Sequence, residues 1–204
     1  MDKIFKDKPL FISIAFTILC LLTYVYDHIC RDGIYAFRTI VVIISIWAFY
    51  IVYINSFLKK SLISFYIVES FIFASVYMGR VMMLYKMWGP YDKVLHLVSG
   101  IVIAILGYVY YLSLVDSTKR EFVSPYLGII FSILFAATGA GVWEIWEFST
   151  DIIFGFTAQN NSLNDTMLDI ICGTVMGVIT NIPFIMHVKG VKIKFIDRLI
   201  EEMN

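Results

Sequence analysis

Three short stretches set acids, one lysine and one histidine at helical spacing inside or beside apolar runs. They are Asp92-Lys93-x-x-His96, Glu144-x-x-Glu147-x-x-x-Asp151 and Asp165-x-x-x-Asp169. A helix advances about 100° per residue, so Glu147 falls about 60° from Glu144 and Asp151 about 20° from it, all on one face. Carboxylates at this spacing on facing helices, with an imidazole among them, match the oxygen-rich sets by which helical bundles hold divalent cations. Such donors favour Mg, Mn, Ca or Fe over a thiolate-type zinc site. The candidate ligands are His96, Glu144, Glu147, Asp151, Asp165 and Asp169. The pattern is ExxE rather than ExxH, so the match to a bundle metal site is loose.

The same residues also suit acid–base chemistry, with His96 oriented by Asp92 one turn before it and Glu144 or Glu147 exchanging the proton. Arg38 and Arg80 lie near the ends of other apolar runs and are candidate phosphate contacts. A third option is structural, with the acids paired to Arg38, Arg80, Lys93 and His96. Six acids against three strong bases leave a surplus, which protonation or a bound cation must resolve.

The elements that carry these residues follow from composition. The chain has 204 residues, of which 60% are hydrophobic and only 16% charged, where a soluble domain has about 25% charged. Six apolar blocks, near 10–26, 37–57, 62–80, 94–115, 124–148 and 166–188, approach or exceed the length that crosses a hydrocarbon core of about 30 Å at about 1.5 Å per residue. The expected fold is all-α, a polytopic transmembrane bundle of about six helices forming one integral membrane domain over residues 1–204. Pro183 is placed to kink or end the sixth helix.

Eleven of the sixteen Lys and Arg residues fall on one side of this arrangement: Lys3, Lys6, Lys8, Lys59, Lys60, Lys119, Arg120 and four after Val188. Arg31, Arg38, Arg80, Lys86 and Lys93 fall on the other. The positive-inside rule then puts both termini in the cytoplasm and the three acidic stretches at the extracytoplasmic ends of helices four to six. Residues 189–204 mix Lys with Ile193, Phe195, Ile196, Leu199 and Ile200, as an amphipathic cytoplasmic tail does. Small residues lie below each acidic stretch at helical spacing: Gly100 and Ala104; Ser132, Ala136 and Ala140; Gly173 and Gly177. They predict close helix approach beneath a shared polar pocket. The loop from Ala158 to Asn164 is either a flap over that pocket or an ordinary surface loop. Glu69, in mid-block, reads as a protonated hydrogen-bond partner or an inward step of the pocket.

Several classes are excluded. Sixteen basic and sixteen acidic residues give no field for nucleic acid. No HExxH motif is present, and Leu97-Val98 precedes Ser99 where a rhomboid-type serine would need a glycine two before it. Cys20, Cys30 and Cys172 form no CxxC pair. The first block follows Lys3, Lys6 and Lys8, as a signal peptide does, but no small-x-small site follows it, so it is kept as a helix.

Taken together, Asp92-Lys93-x-x-His96, Glu144-x-x-Glu147-Phe148 and Asp165-Thr166-x-x-Asp169 with Gly173 resemble the motifs of the YjdF-like bacterial integral membrane proteins, a family of unknown function. A more distant resemblance is to the VanZ family. It covers roughly residues 90–180, without the Trp before and the Gln after Asp165-Thr166 that mark the YjdF-like pattern. Glu147 and Asp169 stand where VanZ-like proteins tend to have amides. The YjdF-like resemblance implies an integral membrane protein, and VanZ a role at the cell envelope. The expectation is a multi-pass protein of the bacterial cytoplasmic membrane, among membrane lipids and without nucleic acid. Its acidic pocket acts on an envelope lipid or lipid-linked substrate, with a divalent cation as optional cofactor. The alternatives are a non-enzymatic binding protein or transporter for a cation or cationic substrate, and a structural accessory protein.

Overall fold

The computed structural model describes residues 3–31, 33, 36–159 and 162–204. Its elements are helices: α1 Lys3–Cys30, α2 Ala36–Asn55, α3 Leu62–Ile72, a π-helical segment Phe73–Val81 continuing α3, the short α4 Leu84–Met87, α5 Tyr91–Leu114, α6 Pro125–Phe154, α7 Leu163–Val188 and α8 Lys194–Glu202. There is no strand among the described residues. Among the described residues, six spans are long and apolar enough to cross a membrane: Lys8–Cys30, Ala36–Asn55, Leu62–Val81, Tyr91–Leu114, Pro125–Phe154 and Leu163–Val188. Large apolar side chains such as Phe37, Ile44, Leu134 and Ile145 stand exposed on them, as surfaces that meet acyl chains do. The chain falls into two compact units, residues 1–91 and 92–204.

In the first unit, Phe16 and Cys20 of α1 pack against Val42 and Ile46 of α2 and Tyr77 and Val81 of the π-helical segment. Polar groups within this apolar layer pair with each other: the Thr23 and Tyr77 hydroxyls meet at 2.8 Å and Trp47 Nε1 donates to Thr17 Oγ1 at 3.1 Å. Glu69 is buried, and neither carboxylate oxygen finds the hydrogen-bond partner expected for it among the described residues. The wider turns of Phe73–Val81 shift the helical phase between Glu69 and Arg80 from that of a regular α-helix.

The second unit is built on the small residues. A Cβ added at Gly100 of α5 would run into the Gly173 carbonyl of α7. One added at Gly173 would meet Ala140 Cβ of α6 at 2.9 Å, and one at Gly177 would meet Ala136 Cβ at 2.5 Å. Deeper in, Asn181 Nδ2 donates to Ser132 Oγ at 3.0 Å, and Ser132 Oγ donates to the Ala104 carbonyl at 2.7 Å, tying the three helices by side chains. Pro183 lies inside α7, which continues to Val188.

Helix α6 runs six residues past the apolar block, to Phe154, where Gly155 takes a left-handed conformation (φ 68°) and its N–H bonds to the Asp151 carbonyl. Glycine bears that φ without the Cβ penalty. Helix α8 is amphipathic, but Ile196, Leu199 and Met203 are buried in protein, so the bundle receives the apolar edge that the sequence alone would lay on lipid. Arg120 fastens it, donating to the Leu112 and Met203 carbonyls at 2.8 and 3.3 Å and to Asn204 Oδ1.

Gly100→Leu is expected to cost at least about 1–3 kcal/mol, because the obstructing atom is backbone and no rotamer relieves it. Gly141→Ala, whose Cβ meets nothing within 4 Å, is expected to stay within about 0.5 kcal/mol of wild type or gain slightly. Unfolding of both variants in detergent checks the contrast; equal loss would contradict the packing.

Candidate functional site

One end of the second unit collects the first turns of α5, the last turns of α6 and the first turns of α7. Ser162 caps α7, its hydroxyl accepting from the Asp165 N–H at 3.3 Å, and this fixes the turn from which Asp165 and Asp169 project. On α5, Lys93 lies seven residues before Gly100, two turns away and on nearly the same face. The close α5–α7 approach at Gly100 therefore brings Lys93 among the α7 acids.

The Lys93 ammonium donates to Asp165 Oδ1 at 2.5 Å and to both Asp169 oxygens at 2.7 Å, with Asp92 Oδ2 at 3.5 Å. Asp169 keeps only 3% of its side-chain surface exposed, against 18% for Asp165 and 29% for Lys93. His96 is buried beside them, Nε2 lying 3.6 Å from Asp169 Oδ1 and 3.9 Å from Asp92 Oδ1. Both distances exceed a hydrogen bond, so the imidazole sits between two carboxylates without being bonded to the aspartate one turn before it. Ligand atoms of Asp92, His96 and Asp169 lie within 4.8 Å of one another, a spacing that could hold a metal ion.

The α6 acids do not form one ligand set. Glu147 accepts from Trp143 Nε1 of its own helix at 2.9 Å. Asp151 accepts the backbone N–H groups of Ala158 and Gln159 at 2.8 and 3.0 Å, so it ties down the loop that leaves α6. Glu144 points inward and is 4% exposed; Oε2 has the Gln159 amide at 3.3 Å, and Oε1 has no hydrogen-bond partner. Charge links the groups across the helices nonetheless, Glu144 with Asp169 and His96, and Glu147 with Asp92 and Asp169, besides Glu144 on its own helix.

Between α6, α7 and the loop residues Phe156, Gln159 and Ser162 lies an open cavity of about 770 Å³. Glu144, Asp151, Gln159, Ser162 and Thr166 supply its polar lining, and Ile145, Phe148, Ile152, Phe156, Leu163 and Ile170 its apolar walls. Gln159 carries no motif and is identified by position alone. Within the loop read as a flap, Asn160 and Asn161 lie outside the described residues. Ser99 Oγ donates to the His96 carbonyl at 2.8 Å, in keeping with the absence of a serine-hydrolase motif. Arg38 and Arg80 belong to the first unit, where Arg38 Nη1 donates to the Arg80 carbonyl at 3.0 Å and the Arg80 guanidinium lies 6.0 Å from the Tyr85 ring centre.

The family model described as "Predicted membrane protein (DUF2238)" matches residues 9–190. The chain belongs to this family. The YjdF-like likeness of the three motifs is this same family; the match gives no support to the VanZ likeness. No curated protein and no solved structure matches the chain. The DUF2238 match takes in both units, and with them every residue of the Lys93 cluster and the cavity lining.

Lys93→Met removes the ammonium that contacts Asp165 and Asp169. The expected loss lies toward the low end of the roughly 3–5 kcal/mol that follows removal of one partner of a buried pair, since Lys93 is 29% exposed. Adding Asp169→Asn should restore part of it. Denaturant unfolding of the single and double variants measures this, and a double variant weaker than Lys93→Met would show that neutralisation is not the role of Lys93.

Proposed function

We propose that the α5–α7 end of the second unit is a membrane-embedded site, on the extracytoplasmic face of a bacterial cytoplasmic membrane, for an envelope lipid or lipid-linked amphiphile. The observation that carries this reading is the open cavity with apolar walls and a buried, incompletely bonded carboxylate in its lining. Its volume falls in the range of about 300–1,000 Å³ usual for small-molecule sites. A polar head has Glu144, Gln159, Ser162 and Thr166 to meet, and a hydrocarbon tail has Phe148, Ile152 and Leu163. The charge bias of the connecting segments supports the outward orientation. His96, with Asp92 and Asp169 on either side, lies outside the cavity lining and acts on Glu144 by charge, so an imidazole that can take and give a proton adjoins the site.

Gly141 lines the cavity, and a side chain added there starts in open space. Gly141→Phe should therefore fill the cavity while leaving the fold intact. Wild-type protein purified in mild detergent is expected to retain an amphiphile detectable by mass spectrometry, and Gly141→Phe to lose it while unfolding as wild type does. Equal amphiphile content in the two would overturn the reading.

A second reading has its own support in the spacing of Asp92, His96 and Asp169. Two carboxylates and an imidazole suit Mg, Mn, Ca or Fe. The Lys93 ammonium already contacts both Asp169 oxygens, so a divalent cation must compete with it. Elemental analysis decides: a cation site binds more metal in Lys93→Met and less in Asp169→Asn, whereas equally little in wild type and both variants rules it out.

A further inference from the structure

We infer that the α6–α7 cavity takes the primary ammonium head of a membrane amphiphile, with Glu144 as its counter-ion. This rests on the reading of the cavity as an amphiphile site and adds the charge and hydrogen-bonding character of the head. Among the described residues, two carboxylates line the space, and no lysine, arginine or histidine does. A phosphate or sulfate head would meet negative charge with nothing to offset it.

The two carboxylates are not equivalent. Asp151 spends both oxygens on the loop backbone and is a fixed part of the wall. Glu144 is 4% exposed, lines the cavity and has an oxygen without a donor. Its remaining support is the Gln159 amide at 3.3 Å, a long bond from a flexible side chain, and the Thr166 hydroxyl, which acts on the carboxylate as a donor and keeps its own lone pairs to accept with. Lys93, the cation of the adjoining cluster, is committed to Asp165 and Asp169. A buried carboxylate short of donors is costly, and a ligand that supplies donor and charge together recovers that cost on binding.

A primary ammonium brings positive charge and three N–H donors on one atom. One N–H serves Glu144, and the others have the Ser162 and Thr166 hydroxyls on the same lining as acceptors. A quaternary ammonium has the charge without a donor, and an alcohol has a donor without the charge. Neither meets both needs. The apolar wall then assigns the ligand to the membrane rather than to water, because a free amine has nothing to place against Phe148, Ile152 and Leu163.

The test is native mass spectrometry of the full chain released from a neutral detergent, with five probes at equal concentration. These are hexadecylamine, hexadecyltrimethylammonium, hexadecanol, hexadecyl sulfate and the tailless butylamine. Hexadecylamine should be retained at least about tenfold above the other four, with the preference lost in Glu144→Gln and all retention lost in Gly141→Phe. If hexadecanol or hexadecyltrimethylammonium is held as well as hexadecylamine, and Gly141→Phe blocks both, the cavity reading stands and the ammonium inference falls. Equal retention of butylamine defeats the assignment to an amphiphile. Retention of none of the five by wild type defeats the cavity reading and the inference with it. The wild-type panel decides the matter even if Glu144→Gln does not fold.

Discussion

The second unit depends on one ammonium group reaching two acids on another helix. Lys93 can hold Asp165 and Asp169 at 2.5–2.7 Å only because α5 and α7 approach at Gly100 and Gly173 until no Cβ fits between them. Small residues and charges share a stripe on each helix: Lys93, His96 and Gly100 on α5, and Asp165, Asp169, Gly173 and Gly177 on α7. The apolar stretch supplies close packing, which in lipid must come from fit because the hydrophobic effect does not separate helix from acyl chain. The polar turn above it uses that fit to neutralise charge that would otherwise be expensive at membrane depth. Packing and electrostatics therefore reinforce each other, and loss of either moves the other.

Neutralisation stops short of α6. A purely structural network would give each buried acid its donors, since a half-satisfied polar network is less favourable than an apolar one. Asp165 and Asp169 meet that standard through Lys93, and Asp151 meets it through the Ala158 and Gln159 N–H groups. Glu144 does not, although it is among the most buried of the acids. The deficit falls where the protein also leaves a cavity open. That coincidence favours a site over a scaffold.

Much of this was legible in the sequence because lipid imposes simple rules. Long apolar blocks announced the spans, and helical phase put Gly100, Ala136, Ala140, Gly173 and Gly177 on the contact faces where the structure has them. The destination of Lys93 was not legible, because a long flexible side chain reaches several neighbours and only the interhelical distance selects among them. Asp151 looked like a ligand for the same reason that Glu144 did. Its partners are backbone groups of a loop, which carry no sequence signal. Gln159 was hidden likewise. The π-helical segment Phe73–Val81 and the burial of α8 depend on tertiary packing that local pattern does not encode.

The depth of Glu144 follows from helix length. From Pro125 to Glu144 is nineteen residues, or about 29 Å of helix, against a hydrocarbon core of about 30 Å. If Pro125 marks one edge of the core, Glu144 marks the other, and the turns from Ile145 to Phe154 rise through the headgroup layer. Those turns include Glu147 and Asp151, yet Ile145, Trp146, Ile152 and Ile153 stand well exposed on them, and tryptophan favours that interfacial zone. Above Glu144 the acids are spent within the protein, Glu147 on Trp143 and Asp151 on the Ala158 and Gln159 N–H groups, and the exposed side chains among them are largely apolar. A guest with its polar end at the depth of Glu144 and its hydrocarbon against Phe148 and Ile152 matches that arrangement better than a water-soluble ion does.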